Sequence, residues 1–524
     1  MHAPFSGRRP PWAPGSQPTF GLSAEPHHTA HTTTVVRSVR RFRTRSCGER
    51  RGPDTARARA FEARPLPHRD RFPDSFAGVT TPSTAPTPIT ALSAEPAPRR
   101  RVLAWAFWDW GTQPFATVIT TFVFAVYLTS SAFGDKDTLT KNLAWTTAAA
   151  GLCIALLAPV LGQGADRKGR RMFHLRWQTW VLAAICAAMY FVAPEPSYFW
   201  LGAILLGAGN IIAEIANVNY YAAIDQVSTP KNVGRVSGLG WGLGYLGGIT
   251  ILLVIIGVLG ADFPADDVRF AMLICGAWTA LFTIPIFVAL KDRQPETAAP
   301  SLGFVGSYKR LFRSIADLAR TSPNTLFFLA ASALFRDGLA GVFTFGGILA
   351  AGTFGFEFSE VVIFGVVANV VAGVATMLFG LLDDRLGPKT VIVTSLVSLV
   401  ALGVGIFVFH DGGKPVFWVM GLLMCLFVGP AQSASRSLLA RLIPDGMSGE
   451  IFGLYATTGR AVSFLSPLLF GAGIAIGELV LGSSEAEAQY WGILGVVVVL
   501  AAGLALAVFV KDPIKQPSVA PAAA

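Results

Sequence analysis

Charged and amide side chains interrupt several long apolar segments of the sequence at the spacing of one helix face. In segment 103–131 the polar positions recur at helical intervals: Asp109, Gln113, Thr117 and Thr120 or Thr121. Segment 197–225 repeats the pattern with Asn210, Glu214, Asn217 and Tyr221. Segments 324–352 and 415–441 carry the remaining polar residues: Arg336, Asp337, Gln432, Ser435 and Arg436. A charge at the centre of a bilayer costs about 2.5–3.5 kcal/mol, so these residues require a partner or a wet cavity.

The depth of each charge in its segment predicts what it does. Glu214, Arg336 and Asp337 lie near the middle of their segments, and carboxylates at that depth are typical of proton sites. We expect Glu214 or Asp337 to bind a coupling proton, and Arg336 to hold an anionic group of a solute or to release that proton. The alternative is a structural ion pair without a role in transport. Neighbours 336 and 337 point about 100° apart on a helix, so we expect them to have different partners.

Two other charges lie closer to the ends of their segments. Asp109 lies only a turn or two from the start of its segment and Arg436 from the end of its own, both on the side that the basic loops discussed below predict to be cytoplasmic. We expect them either to form an inner gate or to reach the membrane interface with their charged ends.

Twelve apolar segments must position these side chains. They lie near 103–131, 139–162, 173–193, 197–225, 234–260, 267–290, 324–352, 358–382, 389–409, 415–441, 450–477 and 488–510. Crossing the hydrocarbon core takes about 20 residues, and backbone facing lipid must satisfy its hydrogen bonds within a helix. The sequence therefore predicts an all-α polytopic membrane protein, with twelve transmembrane helices arranged as two pseudo-symmetric six-helix bundles.

Composition supports a membrane protein and argues against other classes. The chain has 524 residues, of which 52% are hydrophobic and 14% are charged, whereas soluble proteins carry about 25% charged residues. The net charge of +10 lies mostly in the N-terminal tail and in short loops, so we do not interpret it as a nucleic-acid site. The five cysteines form no CxxC pair, which predicts neither disulfides nor a metal site. Walker, HExxH and GxSxG motifs are missing, so we expect no enzyme and no cofactor.

The chain divides into five parts. Residues 1–98 are rich in Pro, Arg, Ser and Thr and are predicted to be disordered. The sequence has no methionine between Met1 and Met172, so we expect the true start to lie at a valine codon such as Val79. Residues 99–293 and 324–512 form the two six-helix halves, 294–323 the linker between them, and 513–524 a second disordered tail.

The linker contains a basic amphipathic pattern. Leu311, Phe312, Ile315 and Leu318 recur at helical spacing among basic residues, which predicts a helix lying along the anionic inner leaflet. We expect this helix to couple the two halves mechanically.

Basic residues also predict the orientation. They concentrate in the flanks and loops on the side of both termini, whereas the opposite loops hold only Lys136, Lys141, Arg269 and Lys414. Because basic loops stay in the cytoplasm, both termini are predicted to be cytoplasmic, in a protein of the plasma membrane.

A loop motif occurs twice. The first copy has Gly162, Asp166, Arg167, Gly169 and Arg170; the second, 218 positions later at each matching Gly, Asp and Arg, has Gly380, Asp384, Arg385 and Gly387. Two such loops at equivalent positions of two six-helix halves indicate duplication. We expect the aspartate to cap a neighbouring helix N-terminus and the arginines to pair across the interface between the halves. Contacts of this kind can form in one conformation and break in another.

With this Gly-x-x-x-Asp-Arg-x-Gly loop, residues 99 to about 512 resemble the major facilitator superfamily. They are most similar to the branch that contains the fungal autophagy-related vacuolar effluxers and bacterial transporters of unassigned substrate. Three stretches carry this closer resemblance: "RRRVLAWAFWDWGTQPFATVITTFVF", "GRVSGLGWGLGYLGG" and "SRSLLARLIPDGMSGEIFGLYATTGRAVSFLSPLLFG". The chain departs from the branch at Thr112-Gln113-Pro114, where an Asn-Ala or Asn-Ser pair is usual.

The resemblance implies a fold and an activity. In the superfamily the first, fourth, seventh and tenth helices line a central cavity, and these are the helices that carry the polar residues here. It implies a monomeric secondary active transporter that moves a small polar organic solute by alternating access. Amino-acid efflux, with or without a coupling proton, is implied by the vacuolar effluxers. The alternatives are an exporter of drugs or toxic metabolites, which the Phe- and Trp-rich segments favour, and a non-transporting receptor or scaffold.

The glycines of the fifth segment could also suggest a nucleotide site. Gly242, Gly244 and Gly247 match GxGxxG, but this motif requires a preceding strand and a soluble helix. Gly240, Gly244 and Gly248 instead form a small-residue face, which predicts close packing against another helix.

Overall fold

The computed structural model describes residues 92–260, 264–293, 303–482 and 484–512. Twelve helices form its bundle, in chain order: α1 Arg99–Leu128, α2 Lys136–Lys168, α3 Arg171–Ala188, α4 Phe199–Ala222, α5 Val233–Leu259, α6 Ala265–Ala289, α7 Pro323–Gly352, α8 Phe358–Leu386, α9 Pro388–Val408, α10 Gly413–Leu442, α11 Ser448–Leu481 and α12 Gln489–Phe509. The prediction of twelve helices in two sets of six is confirmed.

Eleven of the described helices are long and apolar enough to cross a membrane by length and composition alone. The twelfth, α3, has only 18 residues, and Arg171, His174 and Arg176 lie in its first two turns. It packs between α4 and α6, so its place in the bundle comes from its neighbours rather than from its own hydropathy.

Two of the helices are irregular. In α1 the α-helix ends at Pro114 and residues Phe115–Phe122 form a π-helix, in which the N–H of Val123 donates to the carbonyl of Val118 at 2.8 Å. Proline has no N–H to offer the preceding turn, and π-helical turns are frequent at functional sites. Helix α11 is interrupted after Val462 and resumes at Leu465. Sequence periodicity indicated neither interruption.

The halves meet along two close helix contacts, α5 with α8 and α2 with α11. A Cβ on Gly238 of α5 would lie 2.7 Å from the carbonyl oxygen of Thr376 on α8. One on Gly453 of α11 would lie 2.6 Å from the Cα of Pro159 on α2. Glycine therefore sets how near the two halves can come.

The predicted small-residue face of α5 packs against α1. A Cβ on Gly240 would lie 2.9 Å from Cζ3 of Trp105, and one on Gly244 would lie 2.8 Å from Nε2 of Gln113. The interpretation of these glycines as packing positions is confirmed.

The linker forms the helix Phe304–Thr321, beside α2 and α7. Leu311 and Leu318 are buried against the bundle, whereas Phe312 is 68% exposed, so the predicted apolar face is divided between bundle and surroundings. Residues 294–302 lie outside the described part of the chain.

Part of the predicted N-terminal tail is ordered. Leu92 is buried in the core, and the hydroxyl of Ser93 donates to the carbonyl of Asp225 at 2.9 Å. The prediction of disorder is therefore wrong for residues 92–98, because Leu92 and Ser93 contact the bundle. The predicted disorder of residues 1–91 and 513–524, and the expected start near Val79, concern residues outside the described part of the chain.

Candidate functional site

A cavity of about 740 Å³ lies between the two halves. The four helices predicted to line it, α1, α4, α7 and α10, all do so, and α5, α8 and α11 contribute as well. Of the predicted site residues, these line the cavity: Asp109, Gln113, Glu214, Asn217, Tyr221, Arg336, Asp337, Gln432 and Arg436. Asn210 does not; its amide donates to the carbonyl of Leu206 in its own helix at 3.2 Å.

The charges lining this cavity balance. Its carboxylates are Asp109, Glu214 and Asp337, and its guanidinium groups are Arg336, Arg436 and Arg460. With all six ionised, the formal charge of the lining is zero. Arg460 was missed in the sequence because α11 was not among the helices expected to line the cavity, although an isolated arginine in an apolar segment was a visible signal.

Arg436 crosses from the second half into an aromatic enclosure of the first. Its guanidinium carbon lies 4.9 Å from the ring centre of Trp105 and 5.0 Å from that of Tyr221, both within the range of cation–π attraction. Its Nη2 donates to the carbonyl of Ser237 at 2.7 Å, and its Nη1 lies 3.5 Å from Oδ2 of Asp109. The Arg436 side chain is 1% exposed, so the expectation that its charged end reaches the membrane interface is wrong, and its role in an inner gate stays a prediction.

Glu214 and Arg460 form an ion pair across the cavity. Oε1 of Glu214, on α4, accepts from Nη2 of Arg460, on α11, at 2.5 Å. Both side chains are about one-third exposed, at 31% and 32%, so they remain in contact with the cavity. The pair joins the first half directly to the second.

Arg336 and Asp337 have separate partners, as their neighbouring positions predicted. Arg336 donates to the carbonyl of Tyr455 at 2.9 Å and stacks 3.7 Å above the ring of the same residue. Oδ2 of Asp337 accepts the N–H of Ser466 at 2.7 Å, at the start of the second part of α11. Among the described residues, neither has an ion-pair partner of opposite charge within 4.0 Å.

Both repeated loops lie at one end of the bundle, which we call the loop end. There the carboxylate of Asp166 accepts the N–H groups of Gly449 and Glu450, at 2.7 and 3.0 Å, in the first turn of α11. Asp384 does the equivalent for α5, accepting from Gly234 at 2.8 Å and Arg235 at 3.2 Å. Each aspartate caps a helix N-terminus of the opposite half, so the loop end is closed by bonds between the halves.

Other charged residues fix these two aspartates in place. Arg171 binds Asp166 at 2.7 Å and Asp225 at 2.8 Å. Arg441 binds the buried Asp383 at 2.7 Å and also reaches Asp384 at 3.3 Å. The motif identified Asp166 and Asp384, but nothing in the sequence identified these four residues as their charged neighbours.

The loop arginines take positions that differ from the expectation. Arg170 and Arg385 are exposed, and the guanidinium that binds Asp166 belongs to the next residue, Arg171, within the same half. Arg167 contacts other groups at the loop end. The two helix caps that cross between the halves at the loop end are made by the aspartates, because a carboxylate can accept the free N–H groups of a helix N-terminus and a guanidinium cannot.

The four loop glycines differ in what they do. A Cβ on Gly162 would collide with the carbonyl of Gly449, and one on Gly380 would lie 2.9 Å from that of Gly234. Gly169 and Gly387 end their helices with φ of 59° and 90°. The first two permit the halves to touch, and the last two permit the chain to turn.

The described residues contain no group of three or more His, Cys, Asp or Glu side chains placed to hold a metal ion, and their cysteines are free.

The sequence matches a known family and several of its relatives. Residues 140–475, more than half of the chain, match the profile of the family described as "Vacuole effluxer Atg22 like". An uncharacterized MFS-type transporter of Bacillus subtilis, YxiO, is 27% identical over 78% of this chain and 94% of its own. Autophagy-related protein 22 of Yarrowia lipolytica is 27% identical over 51% of this chain and 50% of its own, so the fungal relatives are matched over about half their length.

Solved structures show the same fold. The human organic anion transporter MFSD10 (TETRAN) has a TM-score of 0.60 at 15% identity, over 79% of this chain and all of its own. The proton:xylose symporter XylE has a TM-score of 0.59 at 12% identity, over 79% of this chain and 96% of its own. The match to the family profile and the twelve-helix fold together show that this chain belongs to the Atg22-like family of major facilitator superfamily transporters and is not an enzyme.

Proposed function

We propose that this transporter moves a small polar organic solute by alternating access and that it exports amino acids from the cytoplasm with proton coupling. The observation that carries the proposal is a cavity whose charged groups come from both halves, with one end closed by two aspartate caps that cross between them. Breaking these bonds would open the loop end while the cavity residues stay on rigid helices.

We place the protein in the plasma membrane with the loop end and both termini in the cytoplasm. The support is the concentration of basic residues at that end, including Arg170, Lys168 and Arg385. The conformation described is then closed to the cytoplasm. Impermeant thiol labelling of single cysteines, placed at position 170 and in the loop after α1, tests this orientation in intact cells.

Of the two carboxylates expected to carry a proton, the structure favours Asp337. Glu214 already holds Arg460, so a proton arriving there must first break an ion pair. Among the described residues, Asp337 is held only by the backbone N–H of Ser466 at the start of a helix. A helix N-terminus favours a charged carboxylate over a protonated one, so a proton on Asp337 would weaken this contact. Asp337→Asn should therefore abolish uptake driven by a pH gradient, whereas Glu214→Gln should keep the response to the gradient.

Reconstitution tests the proposal as a whole. Proteoliposomes containing the full chain are assayed for counterflow and pH-driven uptake of labelled amino acids and of a cationic dye. Amino-acid flux that requires Asp337 supports the proposal, and undiminished pH-driven uptake by Asp337→Asn contradicts the coupling site.

A second candidate is export of aromatic drugs or metabolites. It is favoured by the aromatic side chains of the cavity wall, which are Trp108, Phe115, Phe122, Tyr221, Trp241, Tyr245, Phe343, Phe364 and Tyr455. In the same proteoliposomes, flux of the dye without flux of amino acids would select this function. Flux of neither would select a receptor or scaffold on the same fold.

A further inference from the structure

The guanidinium of Arg436 fills a site that is built by the other half of the molecule. Four ring centres lie between 4.9 and 5.7 Å from its central carbon. The rings are those of Trp105, Tyr220, Tyr221 and Trp241, which we call the aromatic enclosure. All four belong to helices α1, α4 and α5 of the first half, whereas Arg436 belongs to α10 of the second. A side chain of one half therefore occupies a site of the other.

The aromatic enclosure is held together by contacts that do not involve Arg436. Nε1 of Trp105 donates to the carbonyl of Tyr220 at 3.1 Å, and the rings of these two residues stack with their centres 4.5 Å apart. The ring of Trp108 stacks on Tyr220 at 4.3 Å, and its Nε1 donates to the hydroxyl of Thr179 at 3.0 Å. The other two rings stack on each other at 6.5 Å. Because these contacts lie within the first half, we expect the enclosure to keep its form when the second half moves away.

A buried carboxylate faces the same site. Oδ2 of Asp109 lies 3.5 Å from Nη1 of Arg436. Its one hydrogen bond from another described side chain comes from the hydroxyl of Tyr220, at 3.1 Å. Without Arg436, this carboxylate would have no positive partner, and an uncompensated buried charge is strongly unfavourable. The site therefore requires a cation or a proton whenever Arg436 is absent.

Arg436 uses only part of its hydrogen-bonding capacity in this site. Its Nε donates to the hydroxyl of Ser237 at 3.0 Å and its Nη2 to the carbonyl of the same residue at 2.7 Å. Its Nη1 makes no hydrogen bond to any described residue. The space for the guanidinium depends on Gly240, since a Cβ there would lie 3.0 Å from Nη2. The aromatic enclosure thus has room for a planar cation of this size.

Opening of the loop end would withdraw Arg436 from the aromatic enclosure. Arg436 lies little more than one turn before Arg441, which is bound at the loop end. Beside it, the hydroxyl of Ser237 on α5 donates to the carbonyl of Ser433 on α10 at 2.8 Å, a bond that crosses between the halves. A path from the loop end to the cavity requires α10 to separate from α5, and Arg436 moves with α10.

We propose that the aromatic enclosure binds a small organic cation, an ammonium or guanidinium group, when the loop end is open, and that Arg436 expels this cation when the loop end closes. The inference rests on the alternating access of the proposed function and adds to it a binding site and a class of ligand. Aromatic faces attract organic cations, and the carboxylate of Asp109 supplies the opposite charge. A proton on Asp109 would neutralise the carboxylate but would leave the four rings unused.

Exchange of the two cations gives the closing movement a direction. Arg436 and the bound cation compete for one site, so closure of the loop end and occupancy of the site exclude each other. Asp109, Tyr221 and Trp241 also line the cavity. The expelled cation therefore enters the cavity, on the side of the site away from the loop end.

The first experiment empties the aromatic enclosure by mutation. Binding of methylguanidinium and of N-methylurea, which has nearly the same shape but no charge, is measured from the melting temperature of the purified full-length chain. Arg436→Ala should bind methylguanidinium about tenfold or more tightly than N-methylurea, because only the cation gains from the rings and the carboxylate. The wild-type protein, whose enclosure is filled, should bind methylguanidinium about tenfold or more weakly than this variant. Equal binding of the two probes by Arg436→Ala would overturn the proposal.

The matched control is Arg336→Ala. Arg336 also lines the cavity, but it stacks on the single ring of Tyr455, at 3.7 Å, and no described carboxylate is paired with it. Its removal leaves a comparable space without an aromatic enclosure, so this variant should gain no affinity for methylguanidinium. An equal gain in both variants would mean that any vacated arginine position accepts the cation, and the proposal would be overturned.

The second experiment retains Arg436 and opens the loop end instead. Replacing both Asp166 and Asp384 by alanine removes the two caps, so the open population and with it the affinity for methylguanidinium should rise about fivefold or more. Adding Trp241→Leu should remove most of this gain. An affinity equal to that of the wild-type protein would show that Arg436 is not exchanged for a cation. Since Arg436 is intact here, the test remains decisive if Arg436→Ala does not fold.

Flux in proteoliposomes separates this inference from the proposed function. Methylguanidinium binding with the expected dependence on Arg436 and on the caps, but without flux of any solute, supports the site and contradicts transport. Flux of a solute without methylguanidinium binding to Arg436→Ala or to the variant without caps supports transport and overturns the site. Neither binding nor flux overturns both.

Discussion

In the loop at 162–171, Asp166 caps the first turn of α11, and in the loop at 380–389, Asp384 caps the first turn of α5. The two caps are related by the duplication and both cross between the halves. The charged groups around them are arranged differently. In the first loop the arginine, Arg171, belongs to the loop itself. It binds Asp225, a carboxylate that follows the end of α4.

The second loop reverses this arrangement. Its arginine, Arg441, comes from the end of α10, and both carboxylates, Asp383 and Asp384, come from the end of α8. The cap itself is therefore the repeated feature, whereas the charged residues that bind the capping aspartate differ between the two loops. It also indicates that the two loops should differ in stability but should resemble each other in their effect on the closed conformation.

The two loops should differ most in the loss of stability that follows when the arginine of each, Arg441 or Arg171, is replaced. Arg441→Gln leaves Asp383, whose side chain is 1% exposed, with the hydroxyl of Ser437 as its remaining partner. Removing one partner of a buried pair typically costs about 3–5 kcal/mol. Arg171→Gln should cost less, because Asp166 keeps two backbone N–H donors and Asp225 keeps the hydroxyl of Ser448.

Melting temperatures of the two purified variants provide the measurement. A larger decrease for Arg441→Gln is expected, and equal decreases would contradict the difference between the loops. Ser437→Ala in the wild-type background controls for the remaining hydrogen bond to Asp383.

Removing either capping aspartate should have a smaller effect, of similar size in both loops, on the equilibrium between the closed and the open loop end. Replacing a capping side chain by alanine costs about 0.5–2 kcal/mol, so Asp166→Ala and Asp384→Ala should each raise the population open at the loop end by about 2- to 30-fold. The effects should add in the double variant because the caps share no partner.

Cys425, a buried residue of the cavity wall, reports this opening when the remaining cysteines are replaced by serine. Its rate of modification by an impermeant thiol reagent, applied from the loop end, should increase in both alanine variants. The asparagine variants retain an acceptor and should change the rate little. An increase for only one of the two alanine variants would show that the duplicated caps no longer share a role.

The smallest effect is expected at Arg235. Its guanidinium lies 3.5 Å from Asp384 but is 58% exposed, and ion pairs of this kind contribute less than about 1 kcal/mol and are screened by salt. Arg235→Gln should lower the melting temperature slightly in low salt and not at all in high salt. A large, salt-independent decrease would mean that the second loop depends on this pair as well as on Arg441.

The fold was predictable because it depends on features that are local in sequence. Eleven of the twelve described helices are long and apolar enough to cross a membrane by themselves, and the repeated loop identifies the duplication. The capping role of Asp166 and Asp384 followed from their position near helix ends. The two interruptions, at Phe115–Phe122 and after Val462, were not predicted, although a proline lies at each: Pro114 directly before the first, and Pro467 in the first turn of the helix that resumes at Leu465.

The candidate site was predictable only in part. The periodic placement of Asp109, Glu214 and Gln432 located the helices that face the cavity. The partners did not follow from sequence, because Arg460, Arg441 and Asp225 lie far along the chain from the groups they bind, and which of them meet depends on how the two halves pack. The burial of Arg436 was missed for the same reason, since its aromatic enclosure is supplied by the other half.

The equal numbers of carboxylates and guanidinium groups in the cavity have a consequence for energetics in a living cell. The membrane potential exerts about 2.3 kcal/mol per 100 mV on each elementary charge that crosses the membrane. A cavity of zero net charge that carries a solute of zero net charge moves no net charge when it changes its opening from one face to the other. Voltage then does no work on the loaded step, and under the proposed proton coupling any electrical current during turnover counts the coupled protons.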